Sequence, residues 1–224
     1  MLPDLVVLDF AGTTMRDDGT VLAAYRTALR EHQIPFTESE LAFRRGASKK
    51  AVFRELAARA FPADQVDRIA AEALDTFGSA LRQEYETGDV REIDGARDAL
   101  SMLKRAGVSL VLTTGFNREL LDLLVGRLNW WDLFEVTLAS EDVPLGRPAP
   151  FMIYRAMIAL GVADVRQVAV VGDTPLDLQS GMNAQAGWVI GVLSGAHGVE
   201  TLGVTPHTHL LPSVADLPML FVAS

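Results

Sequence analysis

The residues best equipped for chemistry in this sequence are acids, hydroxyls and one guanidinium placed just past short apolar runs. Asp9 follows the run at 5–8 and opens the loop D-F-A-G-T-T. Thr114 and Gly115 follow the run at 108–113, Arg147 stands in G-R-P-A-P after 136–138, and Asp173 and Asp177 lie in G-D-T-P-L-D after 168–171. Carboxylates converging at one point repel each other unless a hard cation sits among them, and Mg²⁺ prefers such oxygen ligands. A hydroxyl, a guanidinium fork and turn amides beside that ion complete the equipment for holding and transferring a phosphoryl group. Thr113 and Thr114 compete for one role, because strand alternation turns only one of them to the pocket. Thr114 is expected there, since Gly115 leaves the next backbone amide unobstructed.

The elements that must position these residues follow from hydrophobic periodicity. Continuous apolar runs at 5–8, 108–113, 136–138, 168–171 and 188–192 predict buried strands. Helical spacing at 96–105, 118–128 and 151–160 separates them. This alternation predicts an α/β fold, a Rossmann-like parallel sheet covered by helices, whose ligands bind beyond the carboxyl ends of the strands. From about 16 to 87 the apolar positions keep helical spacing and no strand-like run occurs. The segment reads as an inserted helical cap with helices near 22–32, 49–60 and 65–84, punctuated by Pro35, Gly46 and Pro62. The expected division is a core of residues 1–15 and 88–224 and a cap of residues 16–87.

With 224 residues and 49% apolar composition, the chain can bury the core of one domain plus a modest insertion. A formal charge of −9 leaves no broad cationic surface, so nucleic acid is not an expected partner. The absence of cysteine excludes disulfides and thiol catalysis and suits a reducing compartment. The first apolar run has no basic region before it and no run reaches the length of a membrane span, so neither a signal peptide nor a membrane partner is expected. The expected location is the cytoplasm.

Taken in order, each after a predicted strand, the four motifs resemble those of the haloacid dehalogenase superfamily over essentially the whole chain. The resemblance implies a hydrolase with a C1-type cap, in which Asp9 attacks phosphorus and forms an aspartyl phosphate. It implies Mg²⁺ held by Asp9, the backbone carbonyl of Ala11 and Asp173, with Asp177 orienting the metal shell. Thr114 and Arg147 would serve the phosphoryl group, and Ala11, Gly12, Thr13, Arg45, Gly46, Gly115 and Phe116 would line the substrate.

Ala11 departs from most phosphatases of the superfamily, which carry a second Asp there to protonate a leaving alkoxide. A methyl group donates no proton. The phosphonatase branch shares this Ala because it breaks a P–C bond. Its cap lysine condenses with a substrate aldehyde, and the protonated imine accepts the electrons. Gly46-Ala47-Ser48-Lys49 resembles the G-x-x-K motif of that branch, and Arg147 within G-R-P is similar to its third motif. Val52 and Phe116 stand where the branch has His and Tyr. Arg45 replaces a Met, bringing positive charge toward an anionic substrate. An imine at Lys49 requires an amine whose pKa is lowered by burial or a neighbouring cation; plain substrate contact is the alternative.

The function expected is Mg²⁺-dependent hydrolysis of a small phosphonate or phosphate ester, and kinship implies a homodimer paired through the caps. The rivals are an ordinary metabolite phosphatase, a carbon–halogen hydrolase, and a phosphoacceptor or binding module without turnover. His197, His207 and His209 suggest a metal cluster, yet read better as a solvated loop and strand entry remote from the carboxylates. Trp130-Trp131 reads as packing at a helix end.

Overall fold

The computed structural model describes residues 2–222. Strands of Val, Leu and Ile without polar alternation need both faces covered. Here β1 (Leu5–Asp9), β2 (Ser109–Thr113), β3 (Val136–Leu138), β4 (Val168–Gly172), β5 (Trp188–Val192) and β6 (His209–Leu211) form one sheet in the order β3-β2-β1-β4-β5-β6. Every pairing is parallel. In chain order the helices are α1 (Thr20–Glu31), α2 (Glu38–Phe43), α3 (Lys49–Ala58), α4 (Ala63–Thr87), α5 (Ala96–Arg105), α6 (Arg118–Arg127), α7 (Phe151–Leu160), α8 (Pro175–Ala184), α9 (Val199–Leu202) and α10 (Leu217–Val222).

Side chains alternate across the sheet with the two-residue period of a strand. Val6 and Leu8 join a core with α5, α6 and α10, whereas Leu5 and Val7 face a second core with α7. The strand order turns back between β1 and β4, which is where open sheets of this kind leave a crevice at their carboxyl ends. Register sets Leu8 beside Val171, Asp9 beside Thr113 and Thr113 beside Leu138, so four strands finish near one level.

Between β1 and α5 the named elements are all helical, and α4 packs against both α1 and α3. Their centre is a knot of Tyr25, Phe53 and Phe77, with ring centroids 4.7 to 5.6 Å apart. These rings belong to the same buried cluster as Leu8 and Phe10, so apolar packing is continuous from the sheet into the helices.

Helices α1, α3 and α4 occupy the segments expected from spacing, with ends shifted by a few residues. The spacing does not reveal α2 or α8. The first is six residues long with only Leu41 buried. The second is buried on several sides and shows no apolar stripe. Both nevertheless announce their starts with capping boxes, Thr37 with Glu40 and Thr174 with Asp177. Trp130 is fully buried against Phe10 and Phe134, as helix-end packing requires, while Trp131 is exposed. Among the described residues no helix is long and apolar enough to cross a membrane.

Phe53 is fully buried between two other rings. Phe53→Ala is expected to destabilise the fold by about 3–5 kcal/mol, read as a lower urea midpoint at unchanged slope. A loss under about 1 kcal/mol would show that the aromatic knot does not hold the helices together.

Candidate active site

β1 and β4 end side by side and deliver the acids. Asp9 is the last residue of β1, Asp173 follows β4, and Asp177 lies in the first turn of α8. All three are buried, and one carboxylate oxygen from each lies within 4.8 Å of the others. Burial first, then the neighbouring charges of Asp9 and Asp177, pushes Asp173 above the ordinary carboxylate range. Burial likewise raises Asp177, with Arg147 opposing it. Clustered, desolvated oxygen donors of this kind suit a hard divalent cation such as Mg²⁺. Among the described residues no other group of His, Cys, Asp and Glu has this geometry.

Arg147 reaches the acids as a fork. Its side chain is only 7% exposed; Nη1 donates to Asp9 Oδ1, Nε lies 2.9 Å from Asp177 Oδ1, and Nη2 donates to Thr113 Oγ1 at 2.6 Å. Both threonines therefore have work. Thr114 lines the cavity, its hydroxyl accepting the Phe116 N–H at 3.2 Å. Thr113, set aside on sequence grounds, donates to Leu8 O at 3.0 Å and so holds the oxygen that steers Arg147. Asp177 is engaged on both oxygens, since Oδ2 accepts from the N–H and hydroxyl of Thr174 at 3.0 and 2.6 Å. It thus orients Arg147 and the turn.

The carboxylate of Asp173 is gripped by two loops. Thr13 Oγ1 donates to Oδ1 at 3.0 Å and the Ala196 N–H donates to Oδ2 at 2.6 Å. Ser194 ties these loops together by donating to Gly12 O at 3.1 Å. A Cβ on Gly12, whose φ is +95°, would come within 2.3 Å of Asp173 Oδ2, and one on Gly195 within 2.1 Å. Side chains at either position would displace the acid. The hydroxyl of Thr13 is thus engaged by the acid. The S-G-A-H segment corrects the expectation for His197, which is not remote from the carboxylates. The loop after β5 folds across the end of β4 and brings His197 Nδ1 to 3.3 Å from Asp173 O. His207 and His209 pair locally, with Thr205 O and Thr208 Oγ1.

The helical segment contributes the remaining side. A Cβ on Gly46 would lie 2.4 Å from Thr174 Oγ1, so the loop before α3 seats directly on the G-D-T turn. Lys49 is 5% exposed; its Nζ donates to Arg45 O and Ala47 O and stands 5.5 and 5.9 Å from the ring centres of Tyr25 and Phe116. Burial lowers its pKa to about 8, with Asp9 opposing the shift and Arg147 reinforcing it. The amine thus meets the electrostatic condition for nucleophilic chemistry. Arg45 pairs with Asp17, whose side chain is 1% exposed. The extra cation is matched inside the protein by an acid that no motif had marked.

Of the residues expected to serve catalysis, substrate or metal, all but Gly12, Thr13, Asp173 and Asp177 line one small cavity. Those four sit around it or behind it. Asp17 and Thr174 join the lining, and the free space, about 20 Å³, has room for roughly one water.

Each raised acid has a folded-state pKa above its unfolded value near 4, so ionisation is penalised in the fold. Its destabilising effect is absent below about pH 4 and grows as pH rises into the neutral range. In chelator, Asp173→Asn is therefore expected to raise the thermal midpoint more at about pH 8 than at about pH 5. Equal shifts at both would contradict the repulsion.

The haloacid dehalogenase-like hydrolase family matches residues 6–190. A phosphonoacetaldehyde hydrolase of Parabacteroides distasonis is 34% identical over 106 residues, which cover 47% of this chain and 40% of that protein. Another, from Bacillus cereus strain AH187, is 28% identical over 211 residues, covering 86% of this chain and 76% of its own length. The chain thus spans less than half of the first relative in its alignment and about three quarters of the second. A solved phosphonoacetaldehyde hydrolase-like protein from Oleispira antarctica shares the fold, with a TM-score of 0.82 at 19% identity over 99% of this chain and 92% of that one. With the acids at the ends of β1 and β4 and the family match covering residues 6–190, this chain belongs to the haloacid dehalogenase-like hydrolase family.

Proposed function

We propose that the protein is a Mg²⁺-dependent, phosphonatase-like hydrolase that cleaves the P–C bond of a small phosphonate aldehyde. The observation that carries this reading is Lys49, a buried amine with a lowered pKa in the same cavity as Asp9, where Ala11 offers no proton. The neutral amine condenses with the aldehyde, takes up one proton from solvent and releases water, leaving a protonated imine. Asp9 attacks phosphorus, the P–C bond breaks, and its electron pair flows into the imine to give an enamine. Protonation of that carbon and hydrolysis of the imine free the product aldehyde and Lys49, while water cleaves the aspartyl phosphate.

Mg²⁺, held by Asp9, the Ala11 carbonyl and Asp173, would supply neutralisation of the phosphoryl charge. Arg147, fixed by Thr113 and Asp177, and the hydroxyl of Thr114 hold phosphoryl oxygens. Residues 16–87 serve as a cap over a core of residues 1–15 and 88–224, and excluding water beneath it protects the imine. A homodimer and a cytoplasmic setting accompany this reading.

A second reading is hydrolysis of a metabolite phosphate ester. Val52 and Phe116, apolar where the phosphonatase branch is polar, favour it, and no imine is then needed.

Asp9→Ala is expected to lower phosphate release by at least about 10³-fold, measured with Mg²⁺ across phosphonates and phosphate esters. Activity within about tenfold of the parent would exclude Asp9 as nucleophile. Borohydride with phosphonoacetaldehyde is expected to leave a reduced adduct on Lys49, absent in Lys49→Arg. Because the neutral amine reacts, trapping should accelerate as pH rises through about 8. Phosphate release from esters without any adduct would establish the second reading.

A further inference from the structure

We propose that a groove beside the reaction cavity binds an apolar extension of the substrate, so that the preferred substrates carry a hydrocarbon chain instead of a two-carbon skeleton. This rests on the reading above for the location of the phosphoryl group. The reaction cavity itself has only about 20 Å³ of free space. Next to it a groove of about 1220 Å³ runs between α3 and α4 on one side and the start of α6 and the 140–149 loop on the other. That volume exceeds the roughly 300–1,000 Å³ usual for small-molecule pockets.

The two spaces share Lys49, Gly115, Phe116 and Arg147 as walls. A substrate with phosphorus at Asp9 and its aldehyde carbon at Lys49 therefore meets the groove through any chain carried on the carbon between them. Beyond that junction Leu74 and Phe77 from α4 and Leu120 and Leu123 from α6 give the groove an apolar stretch among polar residues that include Lys50, Asp75 and Glu141. The guanidiniums on its rim are committed to acids, Arg54 to Asp67 and Arg82 to Glu86 and Glu119. The apolar stretch suits methylenes, and Lys50 is balanced in the same lining by Asp75 and Glu141.

The test is calorimetric binding of n-alkylphosphonates, from methyl to octyl, to the full chain with Mg²⁺, alongside phosphate release from phosphonoacetaldehydes carrying matching n-alkyl groups on the carbon next to phosphorus. Each buried methylene should tighten Kd by roughly fourfold over several carbons. Leu74→Gln with Leu123→Gln should flatten that trend while leaving methylphosphonate binding unchanged. A Kd that stays level from ethyl to octyl overturns the proposal, and so does an equal gain per methylene in the double variant. The parent series decides the matter alone if the variant fails to fold. Chain-length-dependent binding without phosphate release from any of these aldehydes would support the groove and defeat the proposed reaction. Release without chain-length dependence would do the reverse.

Discussion

Three buried carboxylates held close together are the constraint around which this molecule is built. They meet because the strand order turns back between β1 and β4, placing Asp9 and Asp173 at adjoining strand ends. Like charges at such distances disfavour ionisation, and the surrounding chain supplies what opposes that repulsion. Arg147 spans Asp9 and Asp177, the Ala196 amide and Thr13 hydroxyl take both oxygens of Asp173, and Thr174 caps Asp177. Gly12 and Gly195 lack side chains where any Cβ would strike the acid. A divalent cation would complete this neutralisation, which is why the proposed chemistry begins with one.

The same burial explains the lysine. Lys49 is carried to the acids by a loop that seats Gly46 against Thr174, and the Tyr25 and Phe116 rings flank its amine. A cation in such surroundings loses protonation more readily than in water. Asp9 works against that loss, and the balance brings the pKa to about 8. Sheet and helices thus divide the work in the proposed reaction. The sheet edge presents the oxygen chemistry, and the helical segment presents the nitrogen chemistry.

Much of this was legible because strands and catalytic motifs are local patterns. Apolar runs marked five of the six strands, and acids directly after them had to fall at the carboxyl edge. The sixth, His209–Leu211, is too short and mixed to stand out. What escaped depends on contacts between distant segments. Thr113 acquires its role only because Arg147 arrives from 34 positions away, and Ala196 only because the loop after β5 crosses Asp173. Asp17 finds Arg45 across 28 positions, with no motif around it. The helices α2 and α8 lacked amphipathic spacing, although their capping boxes were readable in T-E-S-E and T-P-L-D.

The claim on which the rest depends is that one divalent ion sits between the ends of β1 and β4. Anomalous diffraction from crystals grown with Mn²⁺ in place of Mg²⁺ tests it most directly. The expected result is a single strong peak within coordination distance, about 2.1–2.3 Å, of carboxylate oxygens from Asp9 and Asp173 and of the Ala11 carbonyl. No peak at that position, or an ion bound without contact to Asp9, would contradict it.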